Sequence, residues 1–364
     1  MGIYCRQGVM QRIVWNLIAM TVVLIVLGCG DGDSVDGNGG ENGATVTSGI
    51  IYGIGPVWRH YLNGTGDDIG DMMRKLPEAG GMVLAQNNWR DSIALSGQVP
   101  DYFFQLLKNW PAYFNMQYGQ VSVGINFFNQ ATGVPDLDTG DGLPNNWTNP
   151  VAREKFRAVA LGLCRDYHVR YLALGLEVNT YYWLGHQEDY ARFVEFYKSL
   201  YDDIKAQYPQ TRVFVTFQLE HMKGIGDSSW GYDVAEHWDF LVPYDGRLDI
   251  VAFTSYPEFE YDSPSQVPDE YYAEIIGKLP VNLKGKPLAF VEIGWSDRVS
   301  QMTQVDFLRR FLQRIDGLPV EYVNWVFMHD DSPMPINPKL NLGLRTYDGA
   351  EKLIWREWVE LVRR

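Results

Sequence analysis

The chain has 364 residues, of which 46% are hydrophobic and 14% aromatic, enough apolar material for one large core. Its 31 basic and 45 acidic residues give a formal net charge of −14, which argues against a phosphate backbone and therefore against nucleic acid as a partner. Charged residues make up 21% of the chain, which is typical of a globular protein and excludes a largely disordered one.

The N-terminal segment 1–28 is predicted to be a targeting segment rather than part of the fold. Arg6 and Arg12 supply positive charge, an apolar stretch follows, and the small residue Gly28 stands just before Cys29. This order is typical of a secretory signal with a cleavage site, and the cysteine at its end resembles a bacterial lipobox. We therefore expect a lipoprotein-type signal peptide, lipidation of Cys29, and an exported protein held at a membrane, at the cell surface or in the periplasm. An uncleaved N-terminal anchor is the alternative.

The segment 29–48 is rich in Gly and acidic residues and has almost no bulky apolar side chains. Such a composition cannot offset the entropy of ordering, so we expect a flexible tether between the signal and a single domain over 49–364. With Cys5 removed and Cys29 lipidated, only Cys164 remains, and no disulfide is expected.

Beyond the tether, short β-rich apolar runs alternate with helical patterns, which favours βα units and a parallel sheet. The predicted strands are 50–57, 81–87, 121–128, 170–178, 212–219, 248–256, 288–295 and 321–329. The clearest predicted helices are 151–166, 189–207, 304–315 and 349–362. This order predicts an α/β fold, a (β/α)8 TIM barrel. An open doubly wound sheet is the alternative, but no Gly-rich phosphate loop follows the first strand.

The segment 129–149 is the longest loop and follows the third predicted strand. Long loops in compact domains are usually functional, and this one is expected on the face where barrel sites form. Its DLDTGDG run leaves a calcium ion open as an alternative, although its spacing does not match an EF-hand.

Glu177 and Glu292 each follow a strongly apolar predicted strand, where an unpartnered charge would cost free energy. In a TIM barrel the carboxyl ends of the strands meet at one face, so these two side chains are expected near each other. One carboxyl that protonates a leaving oxygen and one that attacks a sugar carbon are what glycoside hydrolysis needs. The pair works if the surroundings separate the two pKa values.

Four segments of the sequence resemble the clan A retaining glycoside hydrolases, and the similarity spans most of 50–364. They are LALGLEVN (172–179), IVAFTSYPEF (250–259), LAFVEIGWSD (288–297) and VNWVFMHD (323–330). The resemblance implies that Glu177 on the fourth strand is the acid/base and Glu292 on the seventh is the nucleophile.

The same resemblance implies that Tyr256 hydrogen-bonds the nucleophile, that Trp325 is a platform under the sugar, and that Arg90 is the strand-two arginine of the clan. Many members have Asn immediately before the acid/base, where this chain has Leu176. Asn179 or Asn88 is then expected to bind the sugar hydroxyl instead. The complete predicted substrate-binding set is Arg90, Asn88, Asn179, Glu220, Tyr256, Trp295, Trp325 and His329.

These features predict a retaining glycoside hydrolase that acts on a β-linked poly- or oligosaccharide as a monomer, without a metal or organic cofactor. Glu220 is a rival for the catalytic pair because it also ends a predicted strand. One alternative is a surface lipoprotein that binds carbohydrate without cleaving it, which Leu176 keeps open. Another is a metal-dependent barrel hydrolase that uses Glu220, His221 and His329.

Overall fold

A computed structural model describes most of the chain from Gly49 onward. The described ranges are 49–89, 120–130, 132–225, 235–333 and 341–364. The predicted signal peptide, tether, lipidated Cys29 and Arg90 lie outside the described residues.

The described residues form one sheet of parallel strands. The strands are β1 (Ile51–Ile54), β2 (Met82–Asn88), β3 (Gln120–Asn126), β4 (Tyr171–Ala173), β5 (Arg212–Phe214), β6 (Thr216–Gln218), β7 (Val251–Ser255), β8 (Leu288–Ile293) and β9 (Val320–Trp325). Their order in the sheet is β5-β4-β3-β2-β1-β9-β8-β7-β6. Each predicted strand therefore has a counterpart, and β5 and β6 are the two halves of the fifth.

The two ends of this sheet are joined because β5 and β6 are separated only by Val215. Backbone bonds continue the pairing there: the Leu174 N–H donates to the Phe214 carbonyl at 2.9 Å, and the Thr216 N–H to the Gly175 carbonyl at 3.0 Å. The sheet thereby closes into a barrel, and the predicted (β/α)8 architecture is confirmed. In barrel terms β7, β8 and β9 are the sixth, seventh and eighth strands.

Helices lie between the strands, around the outside of the barrel. They are α1 (Gly66–Ala79), α2 (Pro150–Tyr167), α3 (Val178–Trp183), α4 (Gln187–Gln207), α5 (Leu219–Met222), α6 (Glu274–Lys278), α7 (Gln301–Ile315) and α8 (Leu353–Val362). The sequence encodes several of their starts: Asn149 accepts hydrogen bonds from the first turn of α2, which opens with Pro150, and Ser300 does the same for α7. No helix in the described ranges is long and apolar enough to cross a bilayer.

Side chains on β9 alternate between the inside and the outside of the barrel. The Tyr322 hydroxyl lies 3.4 Å from the Ser122 hydroxyl of β3, across the interior. Trp325, three residues on, packs outward against Phe307 of α7 and Trp358 of α8, with ring centroids 6.1 and 6.0 Å away. Inward and outward positions follow a period of two along a barrel strand, so this alternation decides which predicted site residues can face a substrate.

Most predicted strands run beyond the observed ones, and the difference at the carboxyl end is largest for the fourth and the eighth. The fourth ends at Ala173 rather than at 178, and the eighth ends at Trp325 rather than at 329. At the fourth strand the chain turns at Glu177, which has a left-handed backbone, and α3 begins at the next residue. The apolar run continued past the strand because the turn itself is buried, so hydrophobicity alone could not mark its end.

Candidate active site

Glu177 stands at the turn between β4 and α3, with φ 47° and ψ 49°. A left-handed backbone costs a non-glycine residue about 1–2 kcal/mol, and surrounding contacts must hold it. One such contact is the Glu177 N–H, which donates to the Thr216 hydroxyl at 2.8 Å. This turn aims the Glu177 carboxyl at the sixth strand, where the Thr254 hydroxyl donates to Oε1 at 2.5 Å.

Glu292 lies on β8, beside a β-bulge. Phe253 of β7 pairs with Phe290, but Thr254 pairs with Glu292, so β8 carries one extra residue. Phe290 packs outward on Phe311 of α7, with ring centroids 5.1 Å apart. The extra residue therefore turns Glu292 to the inner side, where Thr254 also points, as bulges near functional sites commonly do.

The surroundings treat the two carboxyl groups differently. Burial and, to a smaller extent, the negative charge of Glu292 together raise the pKa of Glu177 to about 8, although the Thr254 hydroxyl acts in the opposite direction. Burial also raises the pKa of Glu292, but the side chains of Tyr256 and Gln86 lower it. Glu177 is thus suited to hold a proton near neutral pH, and Glu292 is provided with groups that stabilise its charge.

Tyr256 directly follows β7, and its hydroxyl donates to Glu292 Oε2 at 2.5 Å. This is the contact that the resemblance implies. Burial and the charge of Glu292 raise the pKa of the Tyr256 phenol far above its ordinary value, so the phenol remains a donor. The Tyr256 ring belongs to a small apolar cluster with Val326, Phe327 and Leu342 beyond the ends of the strands.

Glu220 does not meet the prediction of a substrate-binding residue. Its carboxylate accepts hydrogen bonds from Gln218 Nε2 at 2.6 Å, Ser255 Oγ at 2.9 Å and Tyr271 Oη at 3.0 Å, and the side chain is 2% exposed. Its oxygens are therefore occupied by buried protein donors. Glu220 ties α5 to the loops that follow β7, and its charge also contributes to the raised pKa of Glu177.

Asn179, predicted to bind a sugar hydroxyl, is fully buried. Its amide donates to the Gln218 carbonyl and accepts from the Gln218 N–H, each at 2.9 Å, so it fastens α3 to β6 and the prediction is wrong. Asn88 stands half-buried at the end of β2. The side chain of Leu176 packs against Gly124 of β3 in the barrel interior. A Cβ atom at position 124 would lie only 2.7 Å from a methyl group of Leu176, so this space is already filled.

The two tryptophans predicted to meet the sugar are corrected by the structure. Trp325 is 0% exposed, and its indole N–H donates to the Leu342 carbonyl at 2.6 Å. Trp295 is also buried and packs on Phe307 of α7, with ring centroids 5.3 Å apart. Both rings lie between the barrel and its helices, because both occupy outward positions, and neither presents a face to a ligand.

His329 is buried as well, with Nδ1 2.8 Å from the Val57 carbonyl. Burial lowers its pKa to about 4, so the ring is neutral at ordinary pH. The side chain is 0% exposed, so its predicted contact with a substrate finds no support among the described residues. Within the described ranges, no three His, Cys, Asp or Glu side chains are grouped to hold a metal ion, so the alternative built on Glu220, His221 and His329 lacks a ligand set.

The loop 129–149 is held in place by a buried residue of its own. Its Trp147 is fully buried and its backbone N–H donates to Asp189 at 2.8 Å. The aspartates of its DLDTGDG run serve local turns: Asp138 accepts from the Gly140 N–H, and Asp141 from the Leu143 N–H. Near its start, Gln130 Nε2 lies 3.5 Å from Glu177 Oε2, so the loop reaches the site as its position predicts.

Sequence reasoning missed four side chains around the glutamates: Gln86, Gln130, Thr216 and Thr254. All four are uncharged. The closed barrel brings Gln86 on β2, Thr216 on β6 and Thr254 on β7 around one point, and the loop after β3 adds Gln130. The one available signal was the alternation on the sixth strand, which places Thr254 two residues before Tyr256 and therefore on the same side.

No model of a known protein family matches the chain, and no curated protein sequence matches it. Several solved structures are similar to the chain. The chain is similar to a family 39 glycoside hydrolase from the gut symbiont Bacteroides cellulosilyticus WH2, with a TM-score of 0.59 and 17% identity, over 86% of this chain and 63% of that one. It is similar to a GH5_18 protein from Streptomyces cattleya in complex with Manβ1-4GlcNAc, with a TM-score of 0.61 and 14% identity, over 86% and 80%. It is also similar to the exo-β-1,4-mannosidase Op5Man5 from Opitutaceae bacterium strain TAV5, with a TM-score of 0.60 and 17% identity, over 86% and 59%.

At these identities the similarity shows the fold: the chain has the barrel fold of glycoside hydrolases. The predicted resemblance to clan A is confirmed at this level, and the low identities agree with a divergent sequence. The chain spans less than two thirds of the family 39 enzyme and of the mannosidase, and a larger share of the GH5_18 protein.

Proposed function

We propose that this protein is a retaining glycoside hydrolase of β-linked sugars, with Glu177 as acid/base and Glu292 as nucleophile. The observation that carries the proposal is the unequal environment of two buried carboxyls on the inner side of one barrel end. Glu177 has a pKa raised to about 8 and Glu292 accepts the Tyr256 hydroxyl at 2.5 Å. A carboxylic acid that holds a proton beside a nucleophilic carboxylate is what this reaction needs at one site.

In the first step, a carboxylate oxygen of Glu292 forms a bond to the anomeric carbon while the bond from that carbon to the leaving oxygen breaks. The proton of Glu177 passes to the departing oxygen. In the second step, the Glu177 carboxylate takes a proton from water, whose oxygen bonds to the anomeric carbon and releases Glu292. Two displacements at the same carbon retain its configuration, and the carboxyl groups of such enzymes lie about 5–5.5 Å apart.

We propose β-mannosides as the first substrates to test. Two of the similar structures are named for mannose-containing ligands or activity, an exo-β-1,4-mannosidase and a complex with Manβ1-4GlcNAc. The buried positions of Trp295 and Trp325 remove the two tryptophans that were predicted to bind the sugar. This also weakens the alternative of a carbohydrate-binding lipoprotein without catalysis.

The test compares the wild type with Glu292→Gln on β-mannosides, β-glucans and β-galactans, by release of reducing sugar. We expect turnover by the variant to fall by at least about 10⁴-fold with its circular dichroism unchanged, because the amide cannot attack the anomeric carbon. The matched control is Glu321→Gln, which alters a carboxylate on β9 that accepts the Tyr171 hydroxyl at 2.7 Å.

This control should keep wild-type turnover, because Glu321 is the second residue of β9 and so lies near the opposite end of the barrel. Turnover retained by Glu292→Gln would remove the mechanism, and so would a product whose anomeric configuration, followed by NMR, is inverted. A wild type that binds these sugars and cleaves none of them would favour the carbohydrate-binding alternative.

We also propose that the mature protein is exported and held at a membrane through a lipid on Cys29. The support is the sequence alone: basic residues, an apolar stretch and Gly28-Cys29, followed by the Gly- and Asp-rich segment 30–48.

A further inference from the structure

Two threonine hydroxyls contact Glu177, and each contacts a different part of it. Thr216 on β6 accepts the backbone N–H of Glu177 at 2.8 Å, and Thr254 on β7 donates to its Oε1 at 2.5 Å. Both threonines are buried, with 0% and 1% exposure, so water cannot replace either contact. Thr216 therefore fixes the backbone of the turn, and Thr254 fixes the carboxyl group itself.

The two oxygens of the Glu177 carboxyl are not equivalent. Oε1 receives the short bond from Thr254, while the contact of Oε2 among the described residues is Gln130 Nε2 at 3.5 Å, the outer limit of a hydrogen bond. A proton on Oε1 would require the Thr254 hydroxyl to turn its hydrogen away and accept that proton instead. While the hydroxyl donates to Oε1, as it does in this structure, the acidic proton of Glu177 belongs on Oε2, which faces the loop 129–149.

We propose that Thr254 is a positioning residue that directs the acidic proton of Glu177 to Oε2, so that one defined oxygen faces the departing group. The inference rests on the proposed function. Within that function, the proton leaves Oε2 for the glycosidic oxygen as its bond to the anomeric carbon breaks, and a water molecule returns a proton to Oε2 in the second step.

The same bond affects the titration of Glu177. The titratable groups that face this carboxyl in the described ranges are Glu292 from β8, Glu220 from α5 and the phenol of Tyr256. Burial and the two carboxylates raise the pKa of Glu177, and the Thr254 hydroxyl opposes them. Loss of this hydroxyl removes a hydrogen bond to the charged form, so the pKa should rise further.

The experiment compares Thr254→Val, which has the same shape without the hydroxyl, with Thr254→Ser, which keeps it. We expect Thr254→Val to lower kcat about tenfold with KM unchanged, and to move the alkaline limb of the kcat/KM profile up by about one pH unit. Thr254→Ser should restore both. The control Thr211→Val removes a buried hydroxyl that donates to the Val169 carbonyl at 2.8 Å, before β5, and should keep the wild-type profile.

A second measurement does not depend on cleavage. In the full chain labelled with ¹³C at glutamate carboxyls, the NMR signal of Glu177 is identified by its absence from Glu177→Gln and titrated. Its midpoint should rise in Thr254→Val and return in Thr254→Ser. An unchanged midpoint and pH profile in Thr254→Val, or equal effects of both Thr254 variants, would overturn the inference. If the wild type cleaves no sugar, the proposed function fails, and the titration still decides whether Thr254 controls this carboxyl.

Discussion

At the scale of single residues, the site is built from groups held in unfavourable states. Glu177 combines a left-handed backbone with a buried carboxyl whose pKa is raised to about 8. Burial likewise raises the pKa of Glu220 and Glu292. Three carboxyl groups on one barrel end are therefore less easily ionised in the folded chain than in the unfolded chain, and their burial costs stability whenever they are charged.

This cost predicts the dependence of stability on pH. The pKa of Glu177 rises from 4.5 in the ordinary state to about 8 in the folded chain, so the unfolded state loses its proton first as the pH increases. The contribution of Glu177 is then fully present below pH 4.5 and is lost as the pH rises through about 8. We expect Glu177→Gln to unfold at a higher temperature than the wild type at pH 9, and the difference to shrink towards pH 4.

Thermal unfolding followed by circular dichroism at several pH values measures this difference. The control Glu360→Gln alters an exposed carboxylate on α8 and should follow the wild type across the range. Parallel curves for Glu177→Gln and the wild type would show that burial of this carboxyl does not raise its pKa.

At the scale of secondary-structure elements, register and side-chain direction decide the role of each residue. The bulge on β8 turns Glu292 inward, whereas the regular alternation of β9 turns Trp325 outward between α7 and α8. Two residues that both end apolar strands thus belong to different parts of the molecule. One belongs to the site, and the other belongs to the layer that fastens the helices to the barrel.

The outward position of Trp325 makes it a stability residue. We expect Trp325→Ala to lower the free energy of unfolding by about 3–5 kcal/mol, because it leaves a cavity against Phe307 and Trp358. KM for any cleaved substrate should stay within about twofold of the wild type, because the ring is packed between the barrel and its helices. Urea denaturation and steady-state kinetics measure the two quantities.

Trp325→Phe keeps most of the apolar ring and provides a second variant if the alanine protein does not fold. Its loss of stability should be smaller, and it includes the hydrogen bond from the indole N–H to the Leu342 carbonyl. A KM raised tenfold or more in the phenylalanine variant, with unchanged stability, would instead support a sugar platform.

The sequence predicts some features of the structure and not others. Period-two and helical patterns predicted all eight barrel strands, since strands buried on both faces carry long apolar runs. The same patterns do not distinguish inward from outward positions at the strand ends, so they provide no check on the roles expected for Asn179, Trp295 and Trp325. A bulge of one residue and a left-handed turn leave no distinct pattern in composition, and the uncharged Thr254 carried no chemical signal of its own.

At the scale of the whole molecule, the described part of the barrel begins at about Gly49. The proposed lipid on Cys29 would hold it at a membrane through a segment of Gly and acidic residues. We expect Cys29→Ser to move the protein from the membrane fraction to the soluble fraction of an exporting bacterial cell, because one thioether-linked lipid anchor is lost.

Immunoblots of fractionated cells follow this change. The control Cys5→Ser alters a cysteine inside the predicted signal peptide and should leave the protein in the membrane fraction. Equal amounts of Cys29→Ser and wild-type protein in the membrane fraction would support the uncleaved N-terminal anchor.

The halves of the fifth strand, joined through the buried Val215, have a consequence for engineering by circular permutation. New termini opened at Val215 would convert a cylinder without edges into a ribbon with two, and such edges invite pairing with other copies and aggregation. New termini at the exposed Gly317, in the turn between α7 and β9, would leave every ladder of the cylinder intact. Circularly permuted versions of this chain should therefore have their new termini between helices and strands, and not at the junction of β5 and β6.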